Sequence, residues 1–107
     1  MKSALLTALR RIEIRDVPVP RPGPGELLIK VAAVGVCGSD VHYWEDGRIG
    51  DQVLVFPAVL GHESSGVVET AGPGTRILPG TRVMVEPAAS CGHCPRSFRD
   101  GRTCVPT

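Results

Sequence analysis

The sequence has no apolar run of the roughly 18 to 20 residues that a membrane-spanning helix needs. Its first residues lead into an apolar stretch that is too short for the core of a secretory signal. Neither sign of charge is in excess, since 12 lysines and arginines stand against 11 aspartates and glutamates. These features argue against a membrane and against nucleic acid as partners. We therefore expect a cytoplasmic chain with a small, weakly charged partner.

Also missing is the G-x-G-x-x-G fingerprint with which a strand-to-helix turn binds a dinucleotide. The Gly-Pro-Gly triplets at 23–25 and 72–74 are typical of turns instead, because proline fixes φ and removes a donor that a phosphate would need. Internal repeats and low-complexity tracts are absent as well. With 107 residues, the chain has room for one domain and not for a separate cofactor-binding domain.

Thirteen glycines and ten prolines punctuate short apolar runs, which favours β structure with tight turns. In the segment 11–16, Ile12 and Ile14 alternate with charged neighbours, a pattern that predicts a strand. The segment 26–36 is expected to form a longer and more buried strand. Five strands are predicted in all, over 3–9, 11–16, 26–36, 64–70 and 82–86.

Helical character is confined to the segment after Cys37. Ser39 or Asp40 is expected to cap a short helical turn that Gly47 ends. Residues three or four positions apart share a face of such a turn, which predicts a polar cluster beside Cys37. The members of this cluster are Ser39, His42 and Tyr43.

Four cysteines divide into a lone Cys37 and a group near the C-terminus formed by Cys91, Cys94 and Cys104. Two disulfides are one use of four cysteines, but in a reducing compartment metal binding or catalysis is the more common one. The uneven spacing therefore indicates two distinct sites.

Cys37 and the pair His62-Glu63 are each bracketed by glycines, in Gly-Val-Cys-Gly-Ser-Asp and Leu-Gly-His-Glu-Ser-Ser-Gly. Taken singly, a cysteine beside valines is usually a small core residue, and a His-Glu pair in a loop is usually polar surface. Together, a thiolate, an imidazole and a carboxylate suit one catalytic zinc, because two negative groups neutralise the dication. Three protein ligands would leave one position open for chemistry.

Ordered motifs at 35–44, 61–66 and 79–83 resemble the zinc-dependent medium-chain alcohol dehydrogenases. They include Gly-Val-Cys-Gly-Ser-Asp-Val-His-Tyr-Trp, Gly-His-Glu, and Pro-Gly followed by Arg-Val. The run Val-His-Tyr-Trp-Glu-Asp-Gly-Arg-Ile at 41–49 is similar to the polyol branch, the sorbitol, xylitol and L-iditol 2-dehydrogenases. The resemblance implies that residues 1–107 form the N-terminal portion of a mainly β, GroES-like bent barrel with short helical turns. We expect that barrel to be incomplete without a C-terminal remainder.

The resemblance also implies a ligand set. Cys37, His62 and Glu63 would bind the catalytic zinc. Asp40 would accept a hydrogen bond from the second ring nitrogen of His62, which fixes the tautomer that leaves the other nitrogen for the metal. A helix cap is an equally good use of Asp40, and the two roles are compatible.

Three residues of the helical turn receive roles from the same resemblance. Ser39 would accept the alcohol proton, His42 would pass it toward solvent, and Tyr43 would contact the substrate. On residue type alone, His42 suits solvated surface and Tyr43 a half-buried barrel aromatic. The implied reaction is oxidation of a secondary alcohol of a polyol to a ketone, with hydride transfer to NAD or NADP. The nicotinamide would bind through a Rossmann domain that this chain lacks, and the full-length relatives are expected to form homo-oligomers.

The second zinc site of the resembled family is structural and departs from its pattern here. Cys91 and Cys94 are in place, but Ser97 occupies the third position, and Cys104 comes one residue early. A serine hydroxyl is hard to deprotonate and is a poor zinc ligand, so a site of four thiolates is excluded. His93 and Asp100 are the residues left to complete a site. We expect an empty or degenerate lobe.

Two functions remain open from the sequence. One is the zinc- and substrate-binding part of a polyol dehydrogenase, without turnover by itself because the cofactor domain is missing. The other is a stand-alone GroES-like module that binds metal or a partner without catalysis. A zinc-free reductase relative is disfavoured by the joint presence of Cys37, His62 and Glu63.

Overall fold

Strands dominate this computed structural model, which describes residues 1–88. The expectation of a mainly β fold with a short helix is confirmed. In chain order the elements are β1 (Lys2–Ala8), β2 (Arg11–Asp16), β3 (Leu27–Gly35), α1 (Gly38–Asp46), β4 (Arg48–Ile49), β5 (Gln52–Val53), β6 (Glu63–Ala71) and β7 (Arg82–Met84). They form a β1–β2 hairpin, a three-stranded antiparallel sheet in the order β3-β6-β7, and a short β4–β5 pair.

The β1–β2 hairpin is tied to the rest of the fold through Leu6. Its side chain is 1% exposed, and its backbone exchanges two hydrogen bonds with Ala58, at 2.8 and 3.0 Å. Ile12 and Ile14 lie on β2, as the alternation predicts, but they are 54% and 65% exposed. The hairpin therefore contributes to the core from β1 and not from β2.

The three-stranded sheet brings together two segments that are distant in the sequence. β3 pairs with β6 from Leu27 opposite Ala71 to Gly35 opposite Glu63. At the other end of the two strands, the two Gly-Pro-Gly turns contact each other, since the Gly25 N–H donates to the Pro73 carbonyl at 2.8 Å. The register thus places the end of β3 and the start of β6 side by side.

The strand expected over 26–36 is present as β3 (Leu27–Gly35), but the expectation that it is buried is wrong within the described residues. Val31, Val34 and Val36 are 54%, 51% and 81% exposed. Among the elements of residues 1–88, β3 has extensive contacts only with β6, its neighbour within the sheet. Hydrogen bonding along one edge does not cover the faces of a strand, so the valine side chains stay accessible.

The helix α1 begins one residue after Cys37, so the N-cap residue is Cys37 and not Ser39 or Asp40, although the Asp40 side chain does cap the helix from the first turn. Cys37 has extended backbone (φ −89°, ψ 158°), and the Asp40 carboxylate reaches back from the first helical turn to accept its N–H at 2.9 Å. The predicted end at Gly47 is confirmed. Gly47 adopts φ 66°, and its N–H donates to the Tyr43 carbonyl at 3.0 Å, a left-handed cap that glycine adopts without strain.

The part of the chain that the structure describes contains no helix with the length and apolar character needed to cross a bilayer.

Candidate metal centre

Cys37, His62 and Glu63 converge at the end of the three-stranded sheet. One ligand atom from each residue lies within 4.8 Å of the other two. Cys37 lies two residues after the end of β3, His62 lies just before β6, and Glu63 is the first residue of β6. The pairing of Gly35 with Glu63 brings these two chain segments together. The convergence is therefore a consequence of the β3–β6 register.

The chemistry of these three groups fits a zinc ion. Tetrahedral zinc with bonds of about 2.0 to 2.3 Å holds its ligand atoms about 3.3 to 3.8 Å apart, so ligand atoms within 4.8 Å of one another need to move inward by about 1 Å to bind the ion. Cys37 and His62 are half-buried, while Glu63 is exposed. A thiolate, an imidazole and a carboxylate leave a fourth tetrahedral position for a substrate oxygen or water.

Asp40 connects the helix to the segment that carries His62. Its side chain is only 12% exposed, and its Oδ1 accepts the Gly61 N–H at 3.3 Å, in addition to the bond from the Cys37 N–H to Oδ2. The distance from Oδ1 to His62 Nδ1 is 3.6 Å, which is an electrostatic contact and too long for a hydrogen bond. Asp40 thus acts as a helix cap and also faces the imidazole.

The pKa values of Cys37 and His62 shift in opposite directions. The Ser39 hydroxyl, the Ser39 backbone N–H and His62 donate to the Cys37 sulfur and lower the pKa of the thiol, against the opposing effects of burial and of the Glu63 charge. The hydrogen bond to Cys37 raises the pKa of His62, with further support from the charges of Asp40, Cys37 and Glu63. Without a metal, these hydrogen bonds therefore make the Cys37 thiolate, the form that binds metal ions, easier to form than in a free cysteine.

His42 and Tyr43 lie farther along α1 and have partners of their own, Asp46 on the helix and Gln52 on β5. His42 Nδ1 lies 3.8 Å from Asp46 Oδ2, and both side chains are about two-thirds exposed, at 65% and 64%. The Tyr43 hydroxyl donates to Gln52 Oε1 at 3.3 Å. Within residues 1–88 neither His42 nor Tyr43 makes a hydrogen bond to Cys37, His62 or Glu63. Of the predicted polar cluster, Ser39 is the member that hydrogen-bonds to Cys37 within the described residues.

Two grooves flank the candidate centre, and Gly35 lines both of them. One, of about 390 Å³, lies between the hairpin, β3 and α1 and is largely apolar, with Asp40 at its lining. The other, of about 350 Å³, is lined by His62 and Glu63 together with Ser64, Ser65 and Met84. His62 and Glu63 therefore line the more polar groove, and the two grooves share Gly35 as a lining residue.

Two features of the site were not expected from the sequence. One is the Gly61 N–H that donates to Asp40. The other is the close approach of Gly35 to the Glu63 carboxylate. The glycines that bracket the ligand motifs were visible, but their partners depend on the strand register. The residues expected around the second zinc, Cys91, Cys94 and Cys104, lie outside the described residues.

Comparison with known proteins gives a consistent result. Residues 23–105 match the family model of the alcohol dehydrogenase GroES-like domain. The chain is similar to sorbitol dehydrogenase of Pongo abelii, with 53% identity over 79 residues that make up 73% of this chain and 22% of that protein. Sorbitol dehydrogenase of Bacillus subtilis (strain 168) is 45% identical over 103 residues, which are 95% of this chain and 29% of that protein. The chain thus spans less than a third of the length of these relatives.

Solved structures agree with the family match. The cobalt- and zinc-bound thermostable alcohol dehydrogenase of Pyrobaculum aerophilum aligns with a TM-score of 0.77 and 34% identity over 92% of this chain and 30% of that chain. An alcohol dehydrogenase of Escherichia coli CFT073 in complex with NADH aligns with a TM-score of 0.78 and 36% identity over 92% of this chain and 28% of that chain.

Proposed function

The chain belongs to the family of alcohol dehydrogenase GroES-like domains, and we propose its function from this membership. Membership in this family confirms the GroES-like fold that the sequence motifs imply. We propose that the chain provides the zinc- and substrate-binding part of a polyol dehydrogenase of the sorbitol or xylitol type. The reaction is oxidation of a secondary alcohol to a ketone, with hydride transfer to NAD or NADP. The observation that carries this proposal is the convergence of Cys37, His62 and Glu63 within 4.8 Å.

In this proposal Cys37, His62 and Glu63 hold one zinc ion. When bound, the ion supplies Lewis acidity that makes the substrate hydroxyl more acidic. Ser39 stabilises the Cys37 thiolate, because both its hydroxyl and its N–H donate to the sulfur. Asp40 faces Nδ1 of His62 and so favours the tautomer and ring orientation that leave Nε2 for the metal.

We propose that α1 also carries the proton path and part of the substrate site. Ser39 Oγ accepts the proton of the substrate hydroxyl as its own O–H turns away from the Cys37 sulfur and gives its hydrogen toward the exposed His42, which releases a proton to solvent. Tyr43 and Gln52 present a hydroxyl and a carboxamide side by side, groups that suit the hydroxyls of a polyol. The nicotinamide is proposed to bind to a different domain, since this sequence lacks the dinucleotide fingerprint. A reducing cytoplasm is the proposed compartment, because Cys37 must remain unoxidised to bind metal.

Metal analysis of the purified 107-residue chain tests the proposal. The metal-free chain is incubated with zinc, passed over a desalting column and analysed by plasma mass spectrometry. We expect the natural chain to bind one zinc ion at the site of Cys37, His62 and Glu63. Cys37→Ser should lose this ion. The matched change of Cys91 and Cys94 to serine should leave binding at this site undiminished. If zinc disappears only in the Cys91/Cys94 variant, the catalytic-site assignment is wrong.

The same zinc-loaded preparation tests the proposed dependence on another domain. With sorbitol or xylitol and NAD present, we expect no NADH fluorescence to develop. Steady NADH formation by the chain alone, lost on Cys37→Ser, would contradict the proposal that this part is inactive without a cofactor domain.

A further inference from the structure

Gly35 is the last residue of β3 and lies directly opposite Glu63 across the sheet. A Cβ atom placed on Gly35 would be 2.6 Å from Oε2 of Glu63 and 3.1 Å from its Cβ. The first distance is far shorter than any van der Waals contact between carbon and oxygen. The Glu63 carboxylate therefore occupies the space that a side chain at position 35 would fill.

The backbone at position 35 does not itself require glycine. Gly35 is not among the glycines with positive φ, unlike Gly47 and Gly61. Glycine within a strand is less favourable than alanine, because glycine loses more conformational freedom on folding. Glycine at position 35 is therefore explained by the space that it leaves open and not by its φ.

Glu63 has little else to hold it near the metal site. Within residues 1–88 its carboxylate takes part in no hydrogen bond and no ion pair. It nevertheless lies within 4.8 Å of ligand atoms of Cys37 and His62. Folding of the side chain over Gly35 is the contact that accounts for this position.

We infer that Gly35 is a positioning residue, whose missing side chain admits Glu63 as the third ligand of the metal. The inference rests on the proposed function, in which Cys37, His62 and Glu63 bind zinc. Any larger residue at position 35 displaces the carboxylate and leaves a thiolate and an imidazole as the protein ligands. The metal then loses one anionic donor and takes a water molecule in its place.

A double-mutant cycle tests this inference with cobalt(II), whose visible absorption depends on the number and type of its ligands. The variants are Gly35→Ala, Glu63→Ala and the double variant. Gly38→Ala is the matched control, because Gly38 has φ outside the positive range and open space where its Cβ would lie. Zinc affinity is measured by competition with a chromophoric chelator in the same samples.

We expect Gly35→Ala to weaken zinc binding about tenfold or more. Its cobalt spectrum should match that of Glu63→Ala, and in the Glu63→Ala background the alanine at 35 should add little further loss. Gly38→Ala should retain the natural spectrum and affinity. Unchanged binding in Gly35→Ala, or an equal loss in both backgrounds, would overturn the inference.

Folding is checked by circular dichroism for every variant. If Gly35→Ala fails to fold, recovery of folding in the double variant supports the collision with the carboxylate, and failure of both contradicts it. The proposed function is judged separately by Cys37→Ser. If Cys37→Ser binds zinc as tightly as the natural chain, the metal site as a whole is wrong. If Gly35→Ala loses the same affinity with Glu63 present and with Glu63→Ala, only the role of Gly35 is wrong.

Discussion

Cys37 combines two tasks at one position. Its backbone starts α1, and its sulfur receives hydrogen bonds from Ser39 and His62. Hydrogen bonds to a thiolate favour the charged form and lower the pKa of the group, while burial and the Glu63 charge act in the opposite direction. Because the hydrogen bonds from Ser39 are the largest of these effects, Ser39 is the residue on which the thiolate most depends.

We predict that, in the metal-free chain, iodoacetamide modifies Cys37 at lower pH than it does in the urea-unfolded chain. The thiolate is the reactive form, so a lower pKa moves the onset of the reaction to lower pH. Ser39→Ala should move that onset back toward higher pH, and Ser3→Ala on β1 should not. Peptide mass spectrometry of the Cys37 peptide, in the presence of a chelator, follows the rate. The same onset in Ser39→Ala and the natural chain would refute this account.

At the level of single residues, the sequence predicts the chemical types of the site better than its contacts. Cys37, His62 and Glu63 were named from their donor atoms and flanking glycines. The approach of Gly35 to Glu63 was not, because it requires the register of two strands that are about 30 residues apart in the chain. A register shift of one residue moves a side chain to the other face of a sheet, and no local pattern determines it.

The elements of the site are joined by Asp40. Its carboxylate accepts N–H groups from Cys37 at the start of α1 and from Gly61 just before β6, and it faces His62. One half-buried side chain thus connects the helix to the segment that carries two of the three proposed ligands. Stability of the metal-free fold and affinity for the metal should both depend on it.

We predict that Asp40→Ala lowers the free energy of unfolding of the metal-free chain by about 1 kcal/mol, the usual effect of losing a helix cap. It should also weaken zinc binding by about 10- to 100-fold, because His62 loses its oriented partner. Urea unfolding and chelator competition measure the two effects. Asp46→Ala, on the same helix but with an exposed carboxylate, is the matched control. Equal effects of the two substitutions would contradict the role given to Asp40.

Strongly periodic elements were predicted well, and very short ones were not. The strand over 11–16 coincides with β2, because alternation of Ile12 and Ile14 with charged residues is a local property. Gly47 ends the helix as expected, for the equally local reason of its left-handed φ. The strands β4 and β5 were missed, since two residues each are too few to show any period.

The molecule as a whole has a small core in the part that the structure describes. Leu6 and Val68 are the fully buried hydrophobic residues within 1–88, each 1% exposed. Val68 lies in β6, the middle strand of the sheet, and Leu6 joins the hairpin to the segment at Ala58. Each of these two side chains therefore contributes a large fraction of the free energy of unfolding, because few other apolar side chains are buried in the described residues.

Ala58 lies four residues before His62, so the contact between Leu6 and Ala58 also supports the chain that leads to the metal centre. We predict that Leu6→Ala lowers the free energy of unfolding by about 2 to 5 kcal/mol. Apparent zinc affinity should fall with it, because binding must then also offset the cost of folding. Val55→Ala, at a side chain that is 83% exposed, should stay within about 0.5 kcal/mol of the natural chain. Thermal unfolding with and without zinc measures both effects. Similar unfolding temperatures for Leu6→Ala and Val55→Ala would show that Leu6 does not connect the hairpin to the proposed metal-binding part of the fold.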